Sequence, residues 1–288
     1  INKEVAEGRG STHGGAYLDI ANQRTAEEII AKLPSMHHQF RELAGVDITK
    51  EPMEVGPTAH YVMGGVRVNA ESQESTINGL FAAGEVASGL HGANRLGGNS
   101  LSDLIVFGKR AGEHAAKRSS DIEQPALDTK QVEDAIKANL KPLKRENGEN
   151  PGRVYDELRD MMQAKVGIIR TESDLQSALT DLEDFRKRVD GTSSGSSMTY
   201  NSGWHQALDL QNMVDISSAC TLAALTRTES RGGHTRDDFP VPDTGMWSHT
   251  TNVVWKDGVE IKIRQEELSQ PPEELEELLD RSKKGDSK

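Results

Sequence analysis

The sequence has little of what several protein classes require. Its 288 residues include one cysteine, Cys220, so the chain can form no internal disulfide and no cysteine-ligated metal or iron–sulfur centre. Its longest apolar runs, residues 104–107 and 222–225, fall far short of the roughly 18 residues that a membrane helix needs. Because Cys220 lies in an apolar helical context, we expect it to be a small core residue in a protein of the reducing cytoplasm.

The sequence also has fewer basic than acidic residues. The 34 Lys and Arg residues are outnumbered by 46 Asp and Glu residues, which gives a net charge of −12. No Lys/Arg run is long enough to form a basic face, so we expect no nucleic-acid partner. The acidic residues accumulate near the end, and we expect the tail after Gln270 to be mobile.

Two common nucleotide-binding patterns are absent. No Gly-Lys-Ser/Thr ending of a P-loop occurs, and His13 stands where the third glycine of a G-x-G-x-x-G pattern would follow Gly8 and Gly10. The start at Ile1 carries no secretory signal, and its residues resemble the middle of an element. We therefore expect that the sequence begins inside a longer protein.

The first half alternates between helical and strand patterns. Residues 16–20 predict a short strand, and a capping box at Thr25–Glu28 predicts a helix to about Ala44. Residues 61–68 and 79–84 predict two strands of a sheet, with a turn near residues 71–75.

A helix follows, capped by Asn99 or Ser100 and extending to about Arg118. Its apolar residues, with Gly108 and Gly112 on the same face, predict close packing on a sheet.

The second half is helical until about Arg227. Four helices are predicted, at residues 130–141, 151–163, 172–189 and 203–227. The short polar breaks between them favour an antiparallel bundle. Residues 251–255 and 259–263 then predict a hairpin with its turn at 256–258.

A glycine-rich loop at residues 91–99 carries the clearest chemical signal. It lies between a predicted strand end at Gly84-Glu85 and a predicted helix start at Ser100. Such a loop lets backbone approach a ligand, and a helix start offers N–H groups and partial positive charge. Arg95, between glycines, can make a two-point contact with a carboxylate. These residues alone leave a carboxylate, a phosphate or plain packing open.

Five sequence blocks in order decide between these possibilities. They are EGRG at 7–10, PTAHYVMGG at 57–65, GLFAAGE at 79–85, HGANRLGGNSL at 91–101 and ESRGGHTRDDFP at 229–240. Together they resemble the flavoprotein subunit of succinate dehydrogenase/fumarate reductase, an FAD-dependent oxidoreductase of electron transport and the tricarboxylic acid cycle.

The resemblance implies site residues. His60 and Arg95 correspond to the ligands of the two substrate carboxylates, and Glu85 to the carboxylate at the ribityl or ribose region of FAD. Ser100 and Leu101 correspond to the pair whose backbone N–H groups meet the flavin pyrimidine edge. Hydride then moves between the carbon skeleton of succinate or fumarate and the flavin.

Plainer interpretations compete with some of these roles. His60 can be a structural histidine, and Glu85 can cap a loop. His91 is better interpreted as organising its loop than as a general base. A group of charged residues near the end is assigned to domain packing: Arg231, His234, Arg236 and Asp237.

The resemblance also implies an α+β multidomain fold. Its parts are the end of a capping domain (1–52), the C-terminal part of an FAD-binding α/β domain (53–118), a helical bundle domain (128–228) and a small C-terminal domain (229–288). The expected partners are an iron–sulfur subunit, which contacts the flavoprotein, and membrane anchor subunits behind it. The expected location is the cytoplasm, peripheral to the inner face of the cell membrane.

Three family features are missing: the dinucleotide loop, the histidine that carries covalent flavin, and the proton-transferring arginine, which we expect just before Ile1. The chain alone is therefore expected to be inactive. Two alternatives stay open. An L-aspartate oxidase shares the HGANRL core, although Gly97-Gly98 favours the dehydrogenase form, and a non-catalytic remnant would serve packing and assembly alone.

Overall fold

A computed structural model describes residues 1–195, 197–272 and 275. The chain divides into two compact units, Ile1–Tyr61 and Val62–Lys288, which are described separately below. The four domain boundaries stay predictions. The expected mobility of the acidic tail concerns residues that lie largely outside the described ranges.

The first unit is small and mixed. Its elements are α1 (Asn2–Ala6), β1 (Ala16–Leu18), α2 (Ala26–Lys32), α3 (Pro34–Gln39), a π-helical turn (Phe40–Ala44) and β2 (Met53–Val55). Strand β1, which confirms the predicted strand, pairs antiparallel with β2 and sets Tyr17 opposite Glu54. The unit is held by a buried apolar cluster of Ile29, Ile48 and Met53.

The capping box at the start of α2 is confirmed. The Glu28 N–H donates to Thr25 Oγ1 at 3.3 Å, and the Thr25 N–H donates to Glu28 Oε2 at 3.1 Å. The prediction of one continuous helix to Ala44 is wrong. Pro34 has no N–H to continue the hydrogen-bond ladder, so α2 ends at Lys32 and Pro34 starts α3.

The second unit begins without the two predicted strands. In their place, the described backbone forms isolated bridges, which pair Val66 with Ala87, Val68 with Ser75 and Glu74 with Phe81. The extended backbone is broken at glycines with left-handed φ, +84° at Gly79 and +76° at Gly84. A single 3₁₀ turn, Gly84–Val86, stands where the second strand was expected to end.

The helix after the glycine-rich loop is confirmed as α4 (Asn99–Asp121). The predicted cap at Asn99 or Ser100 is wrong, because Gly98 is the capping residue and provides no side chain. The expected packing of its apolar face on a sheet is not observed either. Leu104 is 53% exposed and Ile105 is 74% exposed, since the preceding segment forms bridges and not a sheet.

The four predicted helices of the second half are all present, with one short helix added. They are α5 (Thr129–Asn139), α6 (Lys141–Lys144), α7 (Pro151–Val166), α8 (Glu172–Asp190) and α9 (Ser202–Thr226). The long helices α7, α8 and α9 pack against each other. Helix α5 buries none of its residues, so the bundle core comes from three helices and not four.

Apolar residues at helical spacing form that core. The main buried cluster contains Val154, Leu158, Leu182, Phe185, Val189, Leu210 and Val214. Side-chain caps fix where the helices begin: Asn150 for α7, Thr171 for α8 and Asn201 for α9. Each accepts a hydrogen bond from a backbone N–H of the first turn.

Cys220 is not a core residue, contrary to prediction. It lies on the exposed side of α9, because the buried stripe of that helix passes through Ser218 and Thr221 instead. The two hydroxyls are satisfied inside the helix. Ser218 Oγ donates to the Val214 carbonyl and Thr221 Oγ1 to the Ser217 carbonyl, each at 2.7 Å.

The predicted hairpin is confirmed as β3 (Thr250–Asp257) and β4 (Glu260–Glu267), preceded by a 3₁₀ turn at Met246–Ser248. Its turn is shifted by one residue from the prediction and consists of Gly258 and Val259. Gly258, at φ +63°, takes the first central position, as a type II′ turn requires. Among the described helices, none has the length and apolar character needed to cross a membrane.

Candidate active site

Gly84 determines how closely the turn that carries Glu85 packs against α4. This residue has a φ of +76°, and a Cβ at its position would lie 2.6 Å from Leu104 Cδ2. A larger residue would therefore meet both backbone strain and a clash with α4. Glycine at this point lets the 3₁₀ turn of Glu85 lie directly against the helix that follows the loop.

The Glu85 side chain is exposed on that turn. Its Oε1 accepts a hydrogen bond from the Val62 N–H at 3.0 Å. This is the loop-capping contact that the plainer interpretation anticipated. A carboxylate has acceptor capacity beyond one such bond, so a role at FAD is compatible with this contact and stays a prediction.

Arg95 is half-buried within the glycine-rich loop. Its backbone N–H donates to Asn94 Oδ1 at 2.9 Å, and its Nη1 donates to the Gly97 carbonyl. Gly97 has a φ of +41° and Gly92 a φ of +54°, so glycine is favoured on both sides of the arginine. The loop therefore holds a guanidinium in a defined place just before a helix start.

The loop begins at a histidine that is tied to α4. His91 Nε2 lies 3.3 Å from Asp103 Oδ2, and the two side chains are only 9% and 5% exposed. A cavity of about 270 Å³ lies beside this pair and is also lined by Phe107. The contact places His91 in the loop-organising role that the sequence favoured.

Ser100 and Leu101 lie in the first turn of α4. No side chain caps this helix, and the Leu101 N–H donates to the Gly98 carbonyl at 3.0 Å. The first N–H groups of a helix lack partners one turn earlier and suit anionic or electron-rich ligands. The Leu101 N–H already has this partner within the chain, and the contact of Ser100 and Leu101 with flavin stays a prediction.

His60 belongs to the first unit and Arg95 to the second. The His60 side chain is exposed. That the two residues bind one substrate stays a prediction.

The charged block at residues 229–238 forms a dense ion-pair network beside the bundle. Glu229 has no exposed side-chain surface and receives two hydrogen bonds from Arg231, both at 2.9 Å. Burial opposes its ionisation, but hydrogen bonds from Arg231, the Asp243 N–H and Arg227 outweigh burial and lower the pKa of Glu229 to about 2. Arg236, which is fully buried, pairs with Asp238 through two contacts of 2.7 Å. The network fits the packing role predicted for this block.

His234 of this network is held in one orientation. The Arg170 guanidinium donates to its Nδ1 at 2.9 Å, and its Nε2 donates to the Arg227 carbonyl at 3.1 Å. Burial lowers the pKa of His234, and the charges of Arg170, Arg227 and Arg236 lower it further. The imidazole is therefore neutral, with its proton on Nε2.

The same block touches the glycine-rich loop. The Gly233 N–H donates to the Ala93 carbonyl at 2.9 Å, two residues before Arg95. Gly232 lies at φ +60°, and a Cβ there would overlap the Ala93 carbonyl. The loop is thus contacted, close to its arginine, by a turn from a distant part of the chain.

The sequence analysis assigned no role to two of these residues, Asp103 and Gly232. Asp103 had a signal, because it is the single charge within the apolar run of residues 101–107. The contact of Gly232 with the loop left no signal in the sequence, because nothing in a Gly-Gly pair specifies which distant carbonyl it will contact.

Two family models match the chain. The FAD binding domain matches residues 1–101, and the fumarate reductase flavoprotein C-terminal domain matches residues 155–278. Together they include the glycine-rich loop and the charged block.

Similar proteins are flavoproteins of the same kind. The chain is 42% identical to a subunit of the fumarate reductase (CoM/CoB) of Methanothermobacter marburgensis, covering 83% of this chain and 43% of that protein. It is 35% identical to the succinate dehydrogenase flavoprotein subunit of Coxiella burnetii, covering 90% and 46%. The chain therefore spans slightly less than half the length of the curated relatives it matches.

Solved structures agree with this likeness. A chain of the Mycobacterium smegmatis Sdh1 complex in the apo form matches with a TM-score of 0.87 and 48% identity, covering 94% of this chain and 47% of that one. A chain of the E. coli quinol fumarate reductase matches with a TM-score of 0.82 and 28% identity, covering 94% and 48%. The chain belongs to the succinate dehydrogenase/fumarate reductase flavoprotein family.

Proposed function

We propose that the full-length protein is an FAD-dependent oxidoreductase that interconverts succinate and fumarate, and that this chain contributes its dicarboxylate ligands. The observation that carries this proposal is the placement of Arg95. It is held between glycines, by Asn94 and Gly97, directly before the uncapped start of α4. Both substrates are four-carbon diacids, so their recognition requires a cation or hydrogen-bond donor for each carboxylate.

Arg95 binds one carboxylate through two parallel N–H donors, and His60 binds the other. A guanidinium suits this task because its planar fork matches the two oxygens of a carboxylate. Holding both ends of a short diacid fixes its carbon skeleton relative to the reacting partner. The positive charge of Arg95 also opposes negative charge that develops next to its carboxylate during the reaction.

The residues around the start of α4 fit FAD. Gly97 and Gly98 have open space within 4 Å of where a Cβ would lie, and no side chain caps the helix. Ser100 and Leu101 would meet the flavin pyrimidine edge through their backbone N–H groups, with the Leu101 N–H shared between the flavin and the Gly98 carbonyl. Glu85 would accept from ribityl or ribose hydroxyls. FAD, when bound, supplies the hydride acceptor or donor. The partial positive charge at the helix start would favour negative charge on a bound flavin.

The same proposal extends to partners and location. A flavoprotein of this kind passes electrons to an iron–sulfur subunit, which in turn contacts membrane anchor subunits. These partners would hold the protein at the inner face of the cell membrane.

Flavin reduction by a panel of diacids tests this proposal. The full-length protein with FAD bound is mixed anaerobically with succinate or with aspartate, and flavin absorbance is followed. We expect succinate to bleach the flavin and fumarate to reoxidise it. Bleaching by aspartate alone would favour the oxidase alternative, and FAD-loaded protein that responds to neither diacid would favour the non-catalytic remnant.

A further inference from the structure

We infer that the Gly232-Gly233 turn positions the substrate loop, so that this remote turn sets how well Arg95 meets its carboxylate. The inference rests on the proposed function, because it takes Arg95 to be a substrate ligand. It gives the charged block of residues 229–238 a role in positioning this loop, in addition to domain packing. Gly232 and Gly233 are positioning residues and touch no substrate.

The turn has a defined backbone geometry. Arg231 and His234 face each other across it, with the Arg231 N–H donating to the His234 carbonyl at 2.8 Å and the reverse bond at 3.0 Å. Gly232 occupies the left-handed region at φ +60°. A two-residue turn of this kind projects the backbone of its central residues outward. Here, that backbone meets the Ala93 carbonyl.

Both ends of the turn are anchored by buried charge. Arg231 holds Glu229 through two contacts of 2.9 Å. His234 is held between the Arg170 guanidinium and the Arg227 carbonyl. A surface turn with such anchors is rigid, because shifting it would break ion pairs and hydrogen bonds that are shielded from water.

The turn and α4 together restrain the loop. The turn holds Ala93 through the Gly233 N–H, and Asp103 holds His91. Arg95 follows two residues after Ala93, so a displacement of Ala93 is passed through a very short length of backbone to the guanidinium. The close fit at Gly232, where a Cβ would overlap the Ala93 carbonyl, leaves no room for adjustment without moving the loop.

Two matched glycine substitutions test this inference in the full-length flavoprotein. Gly232→Ala adds a Cβ against Ala93 at φ +60°, while Gly258→Ala adds a Cβ at φ +63° with nothing within 4 Å. Backbone strain is therefore similar in the two variants, but only Gly232→Ala adds a side chain that presses on the loop. Steady-state KM and kcat for succinate, bound FAD and melting temperature are measured for both.

We expect Gly232→Ala to raise KM by about tenfold or more, and to lower kcat/KM by about 10- to 100-fold, at unchanged FAD content. Gly258→Ala should keep the wild-type KM. A purely structural role would reduce the amount of active enzyme and lower apparent kcat while leaving KM unchanged. A KM for Gly232→Ala equal to that of Gly258→Ala overturns the inference.

If Gly232→Ala does not yield folded flavoprotein, Arg231→Lys decides the question. Lysine cannot keep the two-point contact with Glu229 and so loosens the turn. Its control is Arg186→Lys, which alters a single contact with Asp215 in the bundle. A raised KM in Arg231→Lys but not in Arg186→Lys supports the inference, and an unchanged KM in both overturns it.

The two hypotheses fail separately. If Arg95→Lys keeps the wild-type KM and turnover, the substrate role of Arg95 is wrong, whatever Gly232→Ala does. If Arg95→Lys is impaired while Gly232→Ala matches Gly258→Ala, the positioning role alone is wrong.

Discussion

The His91 imidazole lies 3.3 Å from the Asp103 carboxylate, and both side chains are almost completely buried. This pair joins the first residue of the glycine-rich loop to the first turns of α4. Asp103 is also the single buried residue of α4, a helix that the structure describes in full. The loop that carries Arg95 is therefore tied to the helix that follows it by a buried polar contact.

We predict that Asp103→Ala destabilises the full-length protein by about 1–3 kcal/mol, because the buried imidazole loses this partner. The control is Asp156→Ala, which removes an exposed ion pair with Arg159 at 3.6 Å and should cost less than about 1 kcal/mol. Urea unfolding measures both. Equal losses of unfolding free energy in the two variants would show that the His91–Asp103 contact stabilises the protein no more than an exposed ion pair does.

Glu85 is predicted to retain FAD. Glu85→Ala should lower bound flavin, measured by absorbance after gel filtration, because both the charge and the acceptors are lost. Glu85→Gln keeps an oxygen for the Val62 N–H and should fall between wild type and alanine. Glu71→Ala, an exposed glutamate on the same segment, is the control. Full flavin in Glu85→Ala with a lower melting temperature would assign Glu85 to loop capping alone.

Leu104 provides a contrast to Glu85. Leu104→Ala should keep bound flavin and lower the melting temperature, because its side chain packs against Gly84. Since Leu104 is 53% exposed within the described chain, the loss should lie below the roughly 2–5 kcal/mol typical of a fully buried leucine. Differential scanning calorimetry checks this. A loss of flavin as large as in Glu85→Ala would contradict the distinction between the two residues.

The lowered pKa of His234 predicts a pH dependence of stability. As the pH falls below 6.5, the unfolded chain takes up a proton that the folded protein resists, so this contribution to stability decreases. His234→Gln removes this pH-dependent contribution to stability. The difference in unfolding free energy between wild type and variant should therefore shrink from pH 8 to pH 5.5. A difference that is constant with pH would refute this account of His234.

Local signals predicted the parts of the fold that local interactions determine. The Thr25 capping box, the helices of the bundle and the hairpin all follow from capping residues and periodicity, and all are present. Errors arose where one residue overrides a pattern. Pro34 divides a helix that was predicted to be continuous from the Thr25 cap to Ala44, and positive φ at Gly79 and Gly84 bounds a segment that was predicted to be a strand.

Part of the candidate site was predictable from the sequence. The order of motifs around Arg95 identified the family, because such blocks combine turn glycines and charged residues in a pattern that packing alone does not require. The support of the loop was not predictable. The contacts of His91 with Asp103 and of Gly233 with Ala93 depend on the path of the chain in three dimensions.

Succinate turnover by Arg95→Lys tests the central claim most directly. The variant and wild type are compared as full-length protein at equal bound FAD, with Arg110→Lys on α4 as a control for the loss of a guanidinium. Because ammonium cannot reproduce the two-point contact with a carboxylate, we predict a loss of about 100-fold or more in kcat/KM for Arg95→Lys and little change for Arg110→Lys. Full succinate turnover by Arg95→Lys would contradict the proposed function of this chain.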